Sequence, residues 1–182
     1  MRRDKLDNRS KFYRFMYITL LICTILSILR IIWLIQYYFW DPTKYGMSSK
    51  IAINTFSFMI SNFEWSDGIV SLIIIQSLIV SFLLWKTCIF FKNISEEKIF
   101  VIQNAKAIIH SGIALGLAAF FTNIPSLMLS MKLLPYISFS KGKILVDYHF
   151  NIELFVASIA VLVLGMIFRK AVYIAQENEF TI

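Results

Sequence analysis

The sequence predicts an all-α membrane protein whose four transmembrane helices form two helical hairpins. Three observations carry the prediction. Apolar residues make up 58% of the chain and charged residues only 16%, against roughly half and about a quarter in an ordinary soluble domain. The apolar residues are gathered in runs of the length a bilayer demands, about twenty residues at 1.5 Å each. The charges collect between those runs. All 182 residues are therefore read as one transmembrane domain.

The spans are expected at about residues 12–37, 69–91, 105–131 and 151–168. A basic start leading into an apolar run resembles a secretory signal, but the first run is too long and ends without a small-x-small cleavage site. It closes on Tyr37, Tyr38, Phe39 and Trp40, an aromatic belt typical of a helix leaving the bilayer. The first span is expected to be retained.

Basic residues orient the spans. Arg2, Arg3, Lys5, Arg9, Lys11 and Arg14 precede the first; Lys86, Lys92, Lys98 and Lys106 lie around the connection between the second and third; Arg169 and Lys170 follow the fourth. The other two connections hold only Lys44, Lys50, Lys132, Lys141 and Lys143. Positive residues favour the cytoplasmic side, so both termini are expected there. The net charge of +7 is thus assigned to orientation and lipid headgroups, and no direct nucleic-acid binding is expected.

The connections have their own character. In the first outer loop Phe56, Met59, Ile60 and Phe63 recur at helical spacing, predicting an amphipathic helix on the membrane surface. In the second, two β-prone runs flank Gly142 between Tyr136 and Tyr148, predicting a small β-hairpin. Ser95-Glu96-Glu97 has the composition of a helix start, so the third helix is expected to begin near Glu96.

Arg30 is the most unusual residue, because charge inside a span is costly and often functional. It lies roughly 22 Å along the first helix from Phe15. Glu153 and Asn123 fall at a similar height, with Gln76 deeper, so an intramembrane cluster of Arg30, Gln76, Asn123 and Glu153 stands against a snorkelling Arg30. Gly112 and Gly116 form a GxxxG for close helix packing, within one chain or between two copies in a homo-oligomer. Pro125 should kink the third helix, and His110 is expected to be hydrogen-bonded rather than a proton relay. Two histidines at opposite ends, and two cysteines buried in apolar spans, offer no metal site, cofactor site or catalytic triad. No enzymatic activity is expected.

The C-terminal Ile167-Phe168-Arg169-Lys170-Ala171, then Glu177-Asn178-Glu179-Phe180-Thr181-Ile182, together with Lys98-Ile99-Phe100, Asn104-Ala105-Lys106 and Gly112, resemble the bacterial four-span family called domain of unknown function 2975. In that family a last span leads through a basic step into a short helix and tail. The resemblance covers nearly the whole chain, although Ala107-Ile108-Ile109 stands where the family commonly has more arginine. It implies a bacterial plasma membrane and, because such genes often neighbour one for a small helix-turn-helix regulator, a regulatory partnership with such a protein. The docking candidates are Phe100, Asn104, Lys106, Glu177, Glu179 and Thr181. The alternative is a sensor, immunity or small transport-like protein acting through its outer loops and the Arg30/Glu153 region.

Overall fold

The computed structural model describes residues 2–40, 49–53, 56–60, 66–136 and 148–179. Helix α1 spans Arg2–Trp40, α2 Asp67–Ser95, α3 Ile102–Phe121, α4 Ile124–Leu133 and α5 Ile152–Glu179, with a 3-10 turn over Leu134–Tyr136. Four stretches are long and apolar enough to cross a bilayer: Lys11–Gln36, Asp67–Ser95, Ile102–Lys132 and Ile152–Asn178. The four-span reading holds, and this is a multi-pass membrane architecture by length and hydropathy.

The helices are arranged as a row. Extensive interfaces join α1 to α2, α2 to α3, and α3 to α5; α1 and α5 share none of comparable extent. Neighbours run antiparallel, as their contacts show. On α1 and α2, Tyr38 meets Asp67, Ser27 meets Ser81, and the Cys88 thiol approaches the Tyr17 carbonyl. On α3 and α5, Phe120 meets Phe155 while Gly112 faces Leu162. A third of the apolar window of α3–α4 is buried (33%), against 11% in each other span, so the α3–α4 span is the most buried of the four. Large apolar side chains on α1 (Phe15, Leu26, Trp33) and α5 (Val156, Leu164, Ile167) face outward, as they must where lipid is the solvent.

Many of the buried positions are spaced seven residues apart. On α1 they are Thr24 and Ile31; on α2, Ser81 and Cys88; on α5, Ser158, Gly165 and Val172. Helix α3 carries two such rows, Ala105-Gly112-Ala119 and Ala107-Ala114, the first including a glycine that faces α5. A seven-residue repeat matches 3.5 residues per turn, the period at which neighbouring helices keep one seam in register. Most of these residues are small, which allows close backbone approach without a hydrophobic drive.

Several boundaries differ from expectation. The segment read as an amphipathic surface helix contains strand β2, Phe56–Ile60, paired antiparallel with β1, Ser49–Ile53, so that Ile51 stands opposite Phe58 and Ile53 opposite Phe56. The apolar residues Phe56, Phe58 and Ile60 also alternate at period two, and pairing with an equally β-prone neighbour decides for the strand. The hairpin expected over residues 136–148 lies largely outside the described residues. The third span is not one helix: α3 stops at Phe121, Thr122 returns its hydroxyl to the Ala118 carbonyl at 2.5 Å, and α4 starts with Pro125 in its first turn. Proline lacks the amide needed to continue the ladder and suits a helix start. Helix α5 runs unbroken to Glu179, with no separate terminal helix. It is capped by Asn151, whose Oδ1 accepts from the Leu154 amide at 3.0 Å.

The largest difference is at Ser95-Glu96-Glu97. These residues end α2 instead of starting α3. The Lys98 amide donates to the Asn93 carbonyl at 2.9 Å and the Glu97 amide to that of Ile94 at 3.0 Å, the paired bonds of a Schellman ending. Glu97 occupies the left-handed position, φ 63°, where a glycine is usual. Glu97→Gly is therefore expected to raise stability by about 0.5–1 kcal/mol, read as a higher unfolding midpoint in detergent. An unchanged or lower midpoint would mean that the turn carries no strain.

Candidate functional site

A buried polar feature lies where α2 turns into α3. Asn104, in the first turn of α3, has a fully buried side chain at 0% exposure. Its Nδ2 donates to the carbonyls of Lys98 and Ile99, both at 2.8 Å. Its Oδ1 accepts from Nδ2 of Asn93, on the last turn of α2, at 2.7 Å. One amide thus occupies both of its donor hydrogens and an acceptor site, tying the turn to both helices. Asn104 was expected in a docking surface; full burial removes it from any surface and makes it the pin that holds the turn.

What the pin presents is apolar. Ile99 and Phe100 are 45% and 55% exposed, and the Phe100 ring stacks on Phe168 of α5, centroids 5.9 Å apart and 13° from parallel. Beyond Phe168 the helix continues with Arg169 and Lys170 exposed, Arg169 reaching the Tyr173 ring and hydroxyl. Lys106 is exposed on the first turns of α3. Phe100, Lys106 and the α5 extension therefore share one end of the molecule. Glu177 is exposed, while Thr181 and the side chain of Glu179 lie outside the described residues. On the neighbouring α1–α2 side, a cleft is lined by Arg14, Tyr17, Lys92, Ser95 and Glu96. Lys98 donates to the Glu96 carboxylate at 2.8 Å, and this hydrogen bond, aided by the ammonium charge, holds the Glu96 carboxyl below its ordinary pKa.

The expected intramembrane cluster forms only in part. Arg30 and Gln76 line one cleft between α1 and α2, together with Ser27, Ile73, Ser77 and Val80. Glu153 is exposed at the start of α5, and α1 and α5 lie at opposite ends of the row. Asn123 donates instead to the His149 carbonyl, closing α3 onto the approach to α5. Nearby, the Tyr148 hydroxyl donates to the Phe120 carbonyl at 2.8 Å. These two links, Asn123 to His149 and Tyr148 to Phe120, belong to the packing of the α3–α5 pair and not to Arg30.

The GxxxG faces inside the chain. A Cβ on Gly112 would sit 2.7 Å from Leu162 Cγ and 3.0 Å from the Leu162 backbone nitrogen, and one on Gly116 would sit 2.9 Å from Ser158 Oγ. The pairing is reciprocal, for a Cβ on Gly165 of α5 would lie 2.7 Å from Ile109 Cγ1 and 3.1 Å from the Ile109 backbone nitrogen. The Ser158 hydroxyl donates to the Gly112 carbonyl at 2.8 Å. Gly165 and Ser158 were not singled out in the sequence, although their seven-residue spacing was the available signal. His110 contradicts its expectation: Nδ1 is buried without a hydrogen-bond partner, and the ring tilts against Phe82 at 6.3 Å. Helix backbone is already paired at that depth, and the neighbouring ring is apolar.

Among the described residues no group of three or more His, Cys, Asp or Glu side chains is placed to hold a metal ion. Compared with known proteins, the chain matches no family model, no curated protein and no solved structure.

Proposed function

We propose that this chain is a non-enzymatic membrane protein that docks and regulates a cytoplasmic helix-turn-helix transcription regulator. In this reading it belongs to the family called domain of unknown function 2975 and crosses a bacterial plasma membrane as two helical hairpins with both termini inside. The basic residues around α1's start, the α2–α3 turn and the α5 extension support that orientation.

The observation that carries the docking reading is the pinned turn. A connection between two spans needs only to be soluble, yet this one is locked by three side-chain hydrogen bonds around Asn104 and holds Phe100 outward against Phe168. An exposed aromatic on a rigid support is the usual anchor of a protein contact, because little side-chain freedom is lost on binding. The α5 extension carries Glu177 nine residues beyond Phe168, a carboxylate suited to the basic surface of a DNA-binding protein.

Crosslinked pull-down of the tagged protein from its native membrane tests the reading. A small helix-turn-helix protein should be recovered, and Phe100→Ala or deletion of residues 177–182 should lower its recovery at least tenfold, a loss of about 1.4 kcal/mol. Among the described residues, the deletion leaves every buried position of α5 (Ser158, Gly165 and Val172) intact, so the fold should survive it. Unchanged recovery with both variants would reject docking at this face. One observation favours the second reading, a sensor, immunity or small transport-like protein: Arg30 and Gln76 share a cleft, and the same deletion would leave that activity intact.

A further inference from the structure

We infer that the α1–α2 cleft around Arg30 and Gln76 binds the phosphate oxyanion of an anionic phospholipid headgroup. The inference rests on the membrane-spanning reading but not on the docking one.

Arg30 lies within the apolar span Lys11–Gln36, where an uncompensated guanidinium is costly and is normally paired. No hydrogen bond or ion pair joins it to any other described residue. Its nearest helix, α2, supplies no carboxylate to the cleft, whose lining is Ser27, Arg30, Ile73, Gln76, Ser77 and Val80. Glu153, the other charged member of the expected cluster, is on the far helix of the row.

The hydroxyls in the cleft are already committed. Ser27 donates to the Thr24 carbonyl or to Ser81, and Ser77 donates to the Ile73 carbonyl at 2.8 Å. The free donors of the cleft are therefore the Arg30 fork and the Gln76 NH2 group. Such a pair calls for an acceptor with several oxygens, and a guanidinium meets a phosphate with two parallel N–H bonds.

Arg30 is eight residues, about 12 Å of helix, from Tyr38, and Gln76 is nine residues, about 14 Å, from Asp67. Tyr38 and Asp67 meet at one end of the α1–α2 pair. The two donors therefore lie at similar depth, and the headgroup has to be drawn inward to meet them. A long side chain spans much of the remaining distance to headgroup level. The cleft is partly open and lies between two helices whose outward residues are apolar (Leu26, Trp33, Ile75), so a lipid can enter with its chains along the helices. Lipid and free phosphate present the same oxyanion; the apolar flanks favour the lipid.

The test reconstitutes the full chain in nanodiscs of equal phosphatidylglycerol and phosphatidylcholine and counts retained lipids by native mass spectrometry. Wild type should retain phosphatidylglycerol about tenfold over phosphatidylcholine, which offers the same phosphate but carries beside it a quaternary ammonium that the Arg30 guanidinium repels. Arg30→Gln should bring the ratio to near parity, Arg30→Lys to an intermediate value because charge remains without the fork, and Gln76→Leu should lower it about threefold. Equal ratios in wild type, Arg30→Lys and Gln76→Leu would overturn the inference even if Arg30→Gln failed to fold. In discs of phosphatidylcholine alone, inorganic phosphate is then added. Arg30-dependent phosphate binding that phosphatidylglycerol fails to displace would overturn the lipid source; no phosphate binding, with the lipid ratio intact, supports it. A chain that does not enter the disc at all would refute the spanning reading instead.

Discussion

Replacing Gly112 with leucine should cost about 3 kcal/mol or more of stability, the largest effect expected of any single change in the spans. The reason is in what a side chain there would meet. Leu162 Cγ, at 2.7 Å from an added Cβ, could turn away, but the Leu162 backbone nitrogen at 3.0 Å cannot. Helices α3 and α5 would have to separate, and the buried Ser158–Gly112 hydrogen bond would be lost with their contact. The effect should be graded. Alanine at Gly112 or Gly165, each facing partner backbone, should cost about 1–3 kcal/mol. Alanine at Gly116 should cost less, since it meets the Ser158 hydroxyl alone, and alanine at Gly68, 3.5 Å from a methionine methyl, should be near neutral. Unfolding midpoints in detergent, with membrane abundance alongside, give the ranking. If the glycines instead joined two copies of the chain, Gly112→Leu would abolish a dimer and leave the monomer's midpoint unchanged.

The second large effect is expected at the α2–α3 turn. Asn104→Leu leaves the Asn93 amide and the carbonyls of Lys98 and Ile99 without their partner, at a cost of about 2–3 kcal/mol. Asn104→Asp should be no milder, because it removes both donors and brings a carboxylate toward two carbonyl oxygens. Asn93→Ala alone should cost about 1 kcal/mol, and the double variant with Asn104→Leu should cost less than the sum, since the two share one bond. Additive losses would mean that the asparagines act separately. A direct docking role for Asn104 would show the opposite pattern, loss of partner binding at unchanged stability.

The spans were legible because bilayer thickness imposes a length that soluble helices do not need, and runs such as Ile69–Phe91 meet it. Their ends were not. Ser95-Glu96-Glu97 carries the composition of a helix start, and the chain uses it as a helix end, with a glutamate in the left-handed position where the usual signal would be glycine. The strand at Phe56–Ile60 was misread because Phe56, Met59, Ile60 and Phe63 fit a helical period while Phe56, Phe58 and Ile60 fit a strand; pairing with β1 is a tertiary fact that neither period contains.

The site was legible by residue type more than by role. Phe100 and Lys106 are exposed at one end of the molecule, whereas Asn104, with Gln103 and Lys106 close by in sequence, is buried by a partner eleven residues earlier. Arg30 and Gln76 come together across one interface, because α1 and α2 are adjacent. Glu153 matched Arg30 in height, but height along a span says nothing of which helices are neighbours, and the row order sets α1 and α5 apart. The GxxxG was visible as a motif; its partner face, Ser158 and Gly165, repeats at seven and escapes a search for spacing of four.

Topology underlies every functional statement, since the pinned turn docks a cytoplasmic protein only if it faces the cytoplasm. The direct measurement is labelling of single cysteines by a membrane-impermeant thiol reagent in intact cells, after Cys23→Ser and Cys88→Ala. Cysteine at Glu96 should be protected until the membrane is opened, and cysteine at His149 should be labelled at once. Labelling of Glu96→Cys in intact cells, with His149→Cys protected, would invert the orientation and end the docking account.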